Sequence, residues 1–438
     1  MNNQSDVKSR FRFHFDSWIF IPIALAFLCW SVWIALQMRP VQDDYGIAAY
    51  TVQLGVLGST WDMFQTWNGG LFGQLVLHAY ILLIAIFPGA WGYVPWVITI
   101  NALAITLFFA MWKLCIKGAS LTKVASLASI SFVAFQLLIL GFGRENNFTD
   151  FYVLSGWISG ANRFLFSELA LLVILRYCSS GKIFKKPYFV AGVAVGFTLG
   201  LWNLVEAAMI FSASGLIILA SFLFQFKFRF SVREQLGVVV GALSAGALNY
   251  FSPGNQLRSA VIPKPSFGEL VSAVGSNTVQ VSNAVFGNVG NFLALFFSVS
   301  AITILLFSAR KPIPVKTATV PYATPVIARS AVNRVLLAVT VFLVCGIVSV
   351  VAGASFSYYG FWHTYGLFLP VTVVISLISL KLANAFVGRS IHHAVTRIIA
   401  AVIVVSLLGL LIVDMKRFST QAVNRASTWD QGLSLIHI

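Results

Sequence analysis

Charged residues are scarce in this sequence. Only 10% of its 438 residues are Asp, Glu, Lys or Arg, whereas an ordinary soluble domain contains about 25%. Hydrophobic residues make up 58% of the chain, and the mean hydropathy is +0.87. Such a chain has too few polar groups to cover its own surface, so lipid must form much of its surroundings. We therefore predict an all-α integral membrane protein, because helices satisfy their own backbone hydrogen bonds in lipid.

Acidic residues are scarcer than basic ones, and the motifs of soluble enzymes are absent. The 13 Asp and Glu oppose 29 Lys and Arg, which gives a formal net charge of +16. The basic residues form small clusters between apolar runs, a pattern that argues against nucleic acid as a partner. The four cysteines lack Cys-x-x-Cys or metal-ligand spacing, which indicates small buried apolar side chains. No Walker, HExxH or GxSxG motif appears, so cytosolic nucleotide chemistry has no support.

Apolar runs long enough to cross a bilayer recur along the chain, since a helical span needs about 20 residues. The first run follows Lys8, Arg10 and Arg12 and has no cleavage pattern after it, so we interpret it as a retained helix rather than a signal peptide. About eleven spans are predicted: Trp18–Leu36, Val94–Trp112, Val124–Leu140, Phe164–Leu175, Tyr188–Trp202, Val205–Phe226, Leu236–Tyr250, Phe292–Phe307, Val335–Val351, Tyr365–Leu380 and Ile398–Val413. The short Phe164–Leu175 run is expected to begin earlier.

One apolar stretch, Leu71–Phe87, is excluded from these spans. If it crossed the membrane, the basic cluster after Val94–Trp112 and every later cluster would lie outside. If it lies in the outer interface as a membrane-parallel helix, the clusters fall inside at every turn, as the positive-inside rule requires. The N-terminus is then inside and the C-terminus outside. The inner clusters are Lys8/Arg10/Arg12, Lys113/Lys117/Lys123, Arg176/Lys182/Lys185/Lys186, Lys227/Arg229/Arg233, Arg310/Lys311/Lys316/Arg329/Arg334 and Lys381/Arg389/Arg397.

This topology predicts three parts. Residues 1–17 form a cytoplasmic N-terminal segment, residues 18–414 a polytopic transmembrane domain with its first outer loop at 39–93, and residues 415–438 an extracytoplasmic tail. The final Leu433–Ile438 resembles a translated sequencing-adapter read-through. We therefore expect the natural chain to continue past about Asp430.

The first outer loop contains an adjacent pair of acids, Asp43 and Asp44, just past the proline that ends the first span. A carboxylate at this position can act as a general base or bind a cation, and a solvated helix-end pair is the alternative. Further along, Trp67-Asn68-Gly69-Gly70 precedes Leu71–Phe87, whose polar edge contains Gln74 and His78. A tryptophan at the interface is either an anchor or a flat surface for a sugar or isoprenoid.

Four further outer residues are candidates for binding an anionic or polar substrate. Arg144 follows the third span, and Glu206 lies in a tight turn where a helix dipole alone could explain it. Arg258 follows Pro253-Gly254-Asn255, which we predict to form a turn, and it could bind either a substrate phosphate or lipid headgroups. His363 lies in an aromatic segment and could bind phosphate, shuttle a proton or serve packing alone.

A first helix, an Asp-Asp pair, a long outer loop with interfacial helices and about ten more spans resemble the layout of the GT-C superfamily of membrane glycosyltransferases. The Trp67–Gly70, Glu206 and 252–258 segments resemble parts of bacterial multispan transferases of this kind. That family uses polyprenyl-phosphate-linked sugars on the extracytoplasmic side. Its acidic residue or pair in the first outer loop, the base or metal contact, corresponds to Asp43 and Asp44. Many relatives have an additional extracytoplasmic domain after the last span, whereas this sequence stops soon after Asp414.

The resemblance implies inverting sugar transfer from a polyprenyl-phosphate donor to an envelope glycan or lipid, in a bacterial inner membrane. Asp43 would act as base, while Asp44 would orient the acceptor or a divalent cation, should one be required. Arg258, with Arg144 or His363, would stabilise the departing phosphate, and Glu206, Trp67 and Asn68 would contact substrate. Two alternatives remain open. An envelope polysaccharide polymerase or ligase would depend on outer arginines and histidine, and a transporter or flippase would show internal repeats and midplane charges.

Overall fold

The computed structural model describes residues 20–38, 43–87, 92–145, 158–182, 188–223, 231–261, 266–286, 326–356 and 365–386, with isolated residues at 299 and from 405 to 427. Within these ranges the protein is helical, which confirms the all-α prediction. The helices are α1 (Phe20–Leu36), α2 (Asp43–Thr66), α3 (Leu71–Ile86), α4 (Tyr93–Cys115), α5 (Leu121–Glu145), α6 (Ile158–Ser180), α7 (Phe189–Gly200), α8 (Leu204–Leu223), α9 (Val232–Tyr250), α10 (Pro253–Val261), α11 (Phe267–Phe286), α12 (Arg329–Phe356) and α13 (Tyr365–Phe386).

Nine of these helices coincide with predicted spans, namely α1, α4 to α9, α12 and α13. Helix α6 begins at Ile158, which confirms that the short fourth run starts earlier. Among the described residues, α4, α5 and α12 are long and apolar enough to cross a membrane, and α9 with α10 adds a fourth if that bent pair is one span. Nearly all residues of the predicted spans Phe292–Phe307 and Ile398–Val413 lie outside the described ranges. These apolar helices support membrane association.

The core is formed where α1, α4, α5, α6, α12 and α13 pack together. Buried residues recur every three or four positions along α1 and α4, which places them on one face of each helix, whereas α5, α6 and α13 are buried on nearly all sides. Trp112 at the end of α4 is almost fully buried and donates from Nε1 to Oγ of Ser131 at 3.0 Å. Ser131 in turn lies 2.9 Å from Oγ of Ser376 in α13. This chain of hydrogen bonds satisfies polar groups that would otherwise be costly to bury in the middle of an apolar bundle.

One end of the bundle gathers basic clusters that the sequence assigns to the inner side. A short antiparallel ladder pairs β1 (Ile116–Lys117), directly after α4, with β2 (Val326–Ile327), directly before α12. The backbone N–H of Ser231, before α9, donates to the carbonyl of Gly181, after α6, at 2.8 Å. The ends of α4 and α6 and the starts of α9 and α12 therefore meet, as the predicted topology requires.

Helices α7 and α9 run parallel and meet through glycine. A Cβ at Gly192 or Gly196 of α7 would overlap the carbonyl oxygen of Glu234 or Val238 in α9. The overlap is reciprocal, because α9 in turn places Gly237 and Gly241 against the α7 backbone. Gly-x-x-x-Gly spacing on both helices lets the two backbones touch, which is how small residues drive helix association in lipid. This contact brings the ends of α7 and α9 together at the opposite end of the bundle.

Candidate functional site

The end of the bundle opposite the basic clusters contains a corner where α2, α3, α7, α8, α9 and α10 meet. The chain turns there through Trp67-Asn68-Gly69-Gly70, and Oδ1 of Asn68 accepts from the Gly70 N–H at 2.7 Å. A Cβ at Gly70 would overlap the carbonyl oxygen of Trp202, and one at Gly69 would meet the backbone of Asn249. The two glycines are therefore required by close backbone approach. Phe72 also donates its N–H to the Leu201 carbonyl at 3.0 Å, which joins the start of α3 to the α7–α8 turn.

The corner between α9 and α10 differs from the predicted turn. The bend of 53° falls before Pro253, which begins α10 rather than forming a Pro-Gly-Asn turn. Proline suits the first position of a helix because it has no N–H to satisfy there. Oγ of Ser252 accepts from the Asn255 N–H at 3.3 Å, as an N-cap does. A Cβ at Gly254 would press on the backbone of Trp67, so the start of α10 lies directly against the first corner.

This contact brings together two candidate residues, Trp67 and Arg258, which lie 191 positions apart in the sequence. The guanidinium carbon of Arg258 lies 4.7 Å from the centroid of the Trp67 ring, a cation–π arrangement. Trp67 is 52% exposed and Arg258 is half-buried, so the pair is accessible from outside the protein. A guanidinium oriented by an aromatic ring can still donate several N–H groups to an anion.

Glu206 lies in the first turn of α8 and is almost fully buried. Its Oε1 is 3.2 Å from Nε of Arg163 in α6, and both side chains are at least nine-tenths buried. In the turn just before α8, Trp202 packs its ring between Phe72 of α3 and Phe166 of α6, at centroid distances of 5.4 and 5.9 Å. The glutamate that the sequence identified is therefore part of a buried junction of α3, α6 and α8.

The polar edge predicted for the Leu71–Phe87 helix faces the protein interior. His78 is fully buried, and its Nδ1 lies 2.7 Å from Oγ1 of Thr51 in α2. The Thr51 hydroxyl donates its only proton to the Ile47 carbonyl at 2.6 Å, so it can only accept from His78. His78 must then have its proton on Nδ1. Its Nε2 is left as a buried acceptor without a hydrogen-bond partner among the described residues.

The remaining candidates lie at or beyond the edges of the described structure. Asp43 and Asp44 begin α2, and Arg144 lies in the last turn of α5, but only the backbone of these residues is described. His363 lies outside the described residues. Among side chains that are described, no group of three or more His, Cys, Asp or Glu could bind a metal ion.

Arg163 and Trp202 were not identified from the sequence as part of the site. The pairing of Arg163 with Glu206, 43 positions away, has no sequence signature. Helix α11 was also missed, although Ser266-Phe267-Gly268-Glu269 is a capping box. The Ser266 backbone N–H donates to Oε2 of Glu269 at 2.7 Å, and Oγ of Ser266 accepts from the Glu269 backbone N–H at 3.4 Å.

No protein-family model, curated protein or solved structure matches this chain.

Proposed function

We propose that this protein is an inverting membrane glycosyltransferase that moves a sugar from a polyprenyl-phosphate donor to an envelope glycan or lipid on the extracytoplasmic side of a bacterial inner membrane. The proposal takes the predicted topology, about eleven spans with the N-terminus inside, in which the Trp67 corner is outside. The observation that carries the proposal is the cation–π pair of Arg258 and Trp67 at the end of the bundle opposite the basic clusters. It supplies an accessible, oriented cation where the topology expects a lipid-linked phosphate.

The apolar surface of α2 supports a lipid-linked substrate. Val52, Leu54, Leu57 and Trp61 are all exposed, and they belong to the helix that leads into the Trp67 corner. An isoprenoid chain would lie on such a surface while its phosphate reaches Arg258. Helix α2 is also broken at Gly55, where φ is +71°, so its two halves need not follow one axis.

The chemistry assigned to the site is a single displacement. Asp43 accepts the proton of the acceptor hydroxyl as its oxygen attacks the anomeric carbon of the donor sugar. The bond between that carbon and the phosphate oxygen breaks, and polyprenyl phosphate leaves with the bonding electron pair. Arg258, with Arg144 or His363, stabilises the negative charge on the leaving phosphate. Asp44 orients the acceptor or a divalent cation, and Asn68 and Glu206 contact substrate.

The test is consumption of a radiolabelled polyprenyl-phosphate hexose by the protein reconstituted in liposomes. Asp43→Asn is expected to reduce the rate by about 10²–10⁴-fold, the contribution of a general base. Glu269→Gln serves as the matched control, since it neutralises an exposed acid of the same outer region while glutamine preserves the capping box. Asp43→Asn at the wild-type rate would remove the base assignment, and a wild-type protein that consumes no lipid-linked sugar would refute the function.

The role of Arg258 is tested separately, with its own control variant. Arg258→Ala should weaken use of the phosphate donor, whereas Arg233→Ala, an exposed arginine near the basic end, should have no effect. Arg258→Lys retains the charge but loses the planar group that stacks on Trp67, so its activity should lie between the two. Equal activity of Arg258→Ala and Arg233→Ala would exclude Arg258 from the site.

A polysaccharide polymerase or ligase is the second candidate. It is favoured by the presence of two arginines, Arg163 and Arg258, at this end of the bundle. Such an enzyme would retain activity in Asp43→Asn and lose it in the arginine variants, so the same assay, run with a lipid-linked oligosaccharide, separates the two functions.

A further inference from the structure

The junction of α3, α6 and α8 contains buried polar atoms that the protein does not satisfy. Nε1 of Trp202, Oε2 of Glu206 and Oε1 of Gln74 have no hydrogen-bond partner in the described part of the chain. Each side chain is at least nine-tenths buried. Buried polar groups in folded proteins are nearly always paired, so three at one junction require an explanation.

Packing contacts show that the segments carrying these three side chains meet at the junction. A Cβ at Gly73 would overlap the carbonyl oxygen of Trp202 and lie 3.2 Å from Cδ1, the ring atom next to Nε1. Gln74 is the next residue along α3, on its buried face. Glu206 follows Trp202 by four residues, and its other carboxylate oxygen is already paired with Arg163.

The chemistry of the unpaired atoms selects the ligand. Trp202 Nε1 can only donate, whereas the carboxylate oxygen of Glu206 and the amide oxygen of Gln74 can only accept. A phosphate offers acceptors and would be repelled by Glu206, and a metal cation has nothing to accept a bond from the indole N–H. A hydroxyl group both donates and accepts, and a sugar presents several at once.

We infer that this junction is the subsite that recognises sugar hydroxyl groups. Trp202 donates to one hydroxyl oxygen, and Glu206 and Gln74 accept from hydroxyl protons. Arg163 keeps the Glu206 carboxylate in position. The inference rests on the proposed function and divides the substrate in two, with the phosphate at Arg258 and the sugar at the junction.

Equilibrium binding to the full chain in lipid nanodiscs free of glycoside detergents tests the inference. Three probes are compared: polyprenyl phosphate without sugar, polyprenyl-phosphate hexose, and an alkyl hexoside without phosphate. Trp202→Phe removes the N–H but retains the ring between Phe72 and Phe166. It should weaken both sugar-bearing probes about ten-fold, the effect of one hydrogen bond to a buried partner, and leave polyprenyl phosphate unchanged.

Two further variants complete the design. Gln74→Leu should weaken the same two probes. Trp96→Phe is the control, because Trp96 Nε1 is another buried indole N–H without a partner among described residues, located instead in α4 beside Tyr80. Unchanged binding of polyprenyl phosphate shows that each variant remains folded.

The outcomes separate the inference from the proposed function. Sugar binding that depends on Trp202 without any transfer supports the subsite and refutes the transferase. Transfer that depends on Asp43 with sugar binding insensitive to Trp202 and Gln74 overturns the subsite, and so does the absence of sugar binding, which would mean that water alone fills the junction. Competition between the hexoside and the lipid-linked hexose assigns the subsite to the donor sugar, and simultaneous binding assigns it to the acceptor sugar.

Discussion

The α7–α9 interface and the α3–α6–α8 junction belong to one bundle but are filled differently, the first mainly by glycine and the second by polar and aromatic side chains. Between α7 and α9, glycines let the backbones touch, and the side-chain amide of Asn249 in α9 donates to the Gly200 carbonyl of α7 at 2.9 Å. At the junction, an ion pair and an indole are buried, and three polar atoms have no partner among the described residues. The first interface is built mainly from backbone contact and serves assembly, whereas the unpaired polar atoms of the second are the reason we infer a ligand there.

Breaking the ion pair of the junction should have the largest effect. Arg163→Ala leaves the Glu206 carboxylate buried without its partner and should reduce the free energy of unfolding by about 3–5 kcal/mol. The measurement is unfolding by steric trapping in bicelles. The matched control is Arg163→Met with Glu206→Leu, which removes both charges and should recover most of the stability. If the double variant is as unstable as the single one, packing rather than charge governs the junction.

Filling the α7–α9 interface should have the next largest effect. Gly196→Ala adds a Cβ that overlaps the backbone of Val238, and backbone cannot rotate aside, so we expect a loss of about 3 kcal/mol in the free energy of unfolding. Gly215→Ala in α8 is the control, because a Cβ there meets nothing within 4 Å. Alanine should stabilise that helix by about 0.5–1 kcal/mol. Equal effects of the two substitutions would mean that the helices do not meet through these glycines.

The buried Thr51–His78 pair lies between the two extremes and sharpens the comparison. Thr51→Val preserves shape but leaves the Nδ1–H of His78 without an acceptor, which should cost about 1–2 kcal/mol. Thr51→Ser retains the hydroxyl and should cost less. The ¹⁵N chemical shifts of the His78 ring provide a second readout, because the Thr51 hydroxyl can accept only from an Nδ1–H. A proton found on Nε2 in the wild-type protein would contradict this pairing.

The helices were predictable where a single local sequence signal is enough to define the helix. Helix α4 was expected at Val94–Trp112 and spans Tyr93–Cys115, because an uninterrupted apolar run of that length has few alternatives. Helix α11 was not expected, since its apolar residues are interrupted by Ser, Asn and Gln. Its capping box at Ser266 was the only start signal.

The site was predictable in its parts but not in its contacts. The sequence selected Trp67, Glu206 and Arg258 as polar or aromatic residues next to predicted membrane, where such residues are costly unless used. It could not pair Arg258 with Trp67 or Arg163 with Glu206, because these contacts depend on how distant helices pack. It also missed the orientation of His78, since burial of one face of α3 is decided by the covering helix α2.

The two-residue ladder between β1 and β2 affects the order in which contacts form as the chain is synthesised. Lys117 leaves the ribosome long before its partner Val326, and helices α5 to α11 must be made in between. Until then the carbonyl of Cys115, which accepts from Ala328 at 2.9 Å, lacks that donor. The β1–β2 ladder, which joins α4 to α12, therefore forms late, after most of the chain has been inserted. A nascent protein stalled before residue 326 would have its early helices in place, but the end of α4 would still lack its partner.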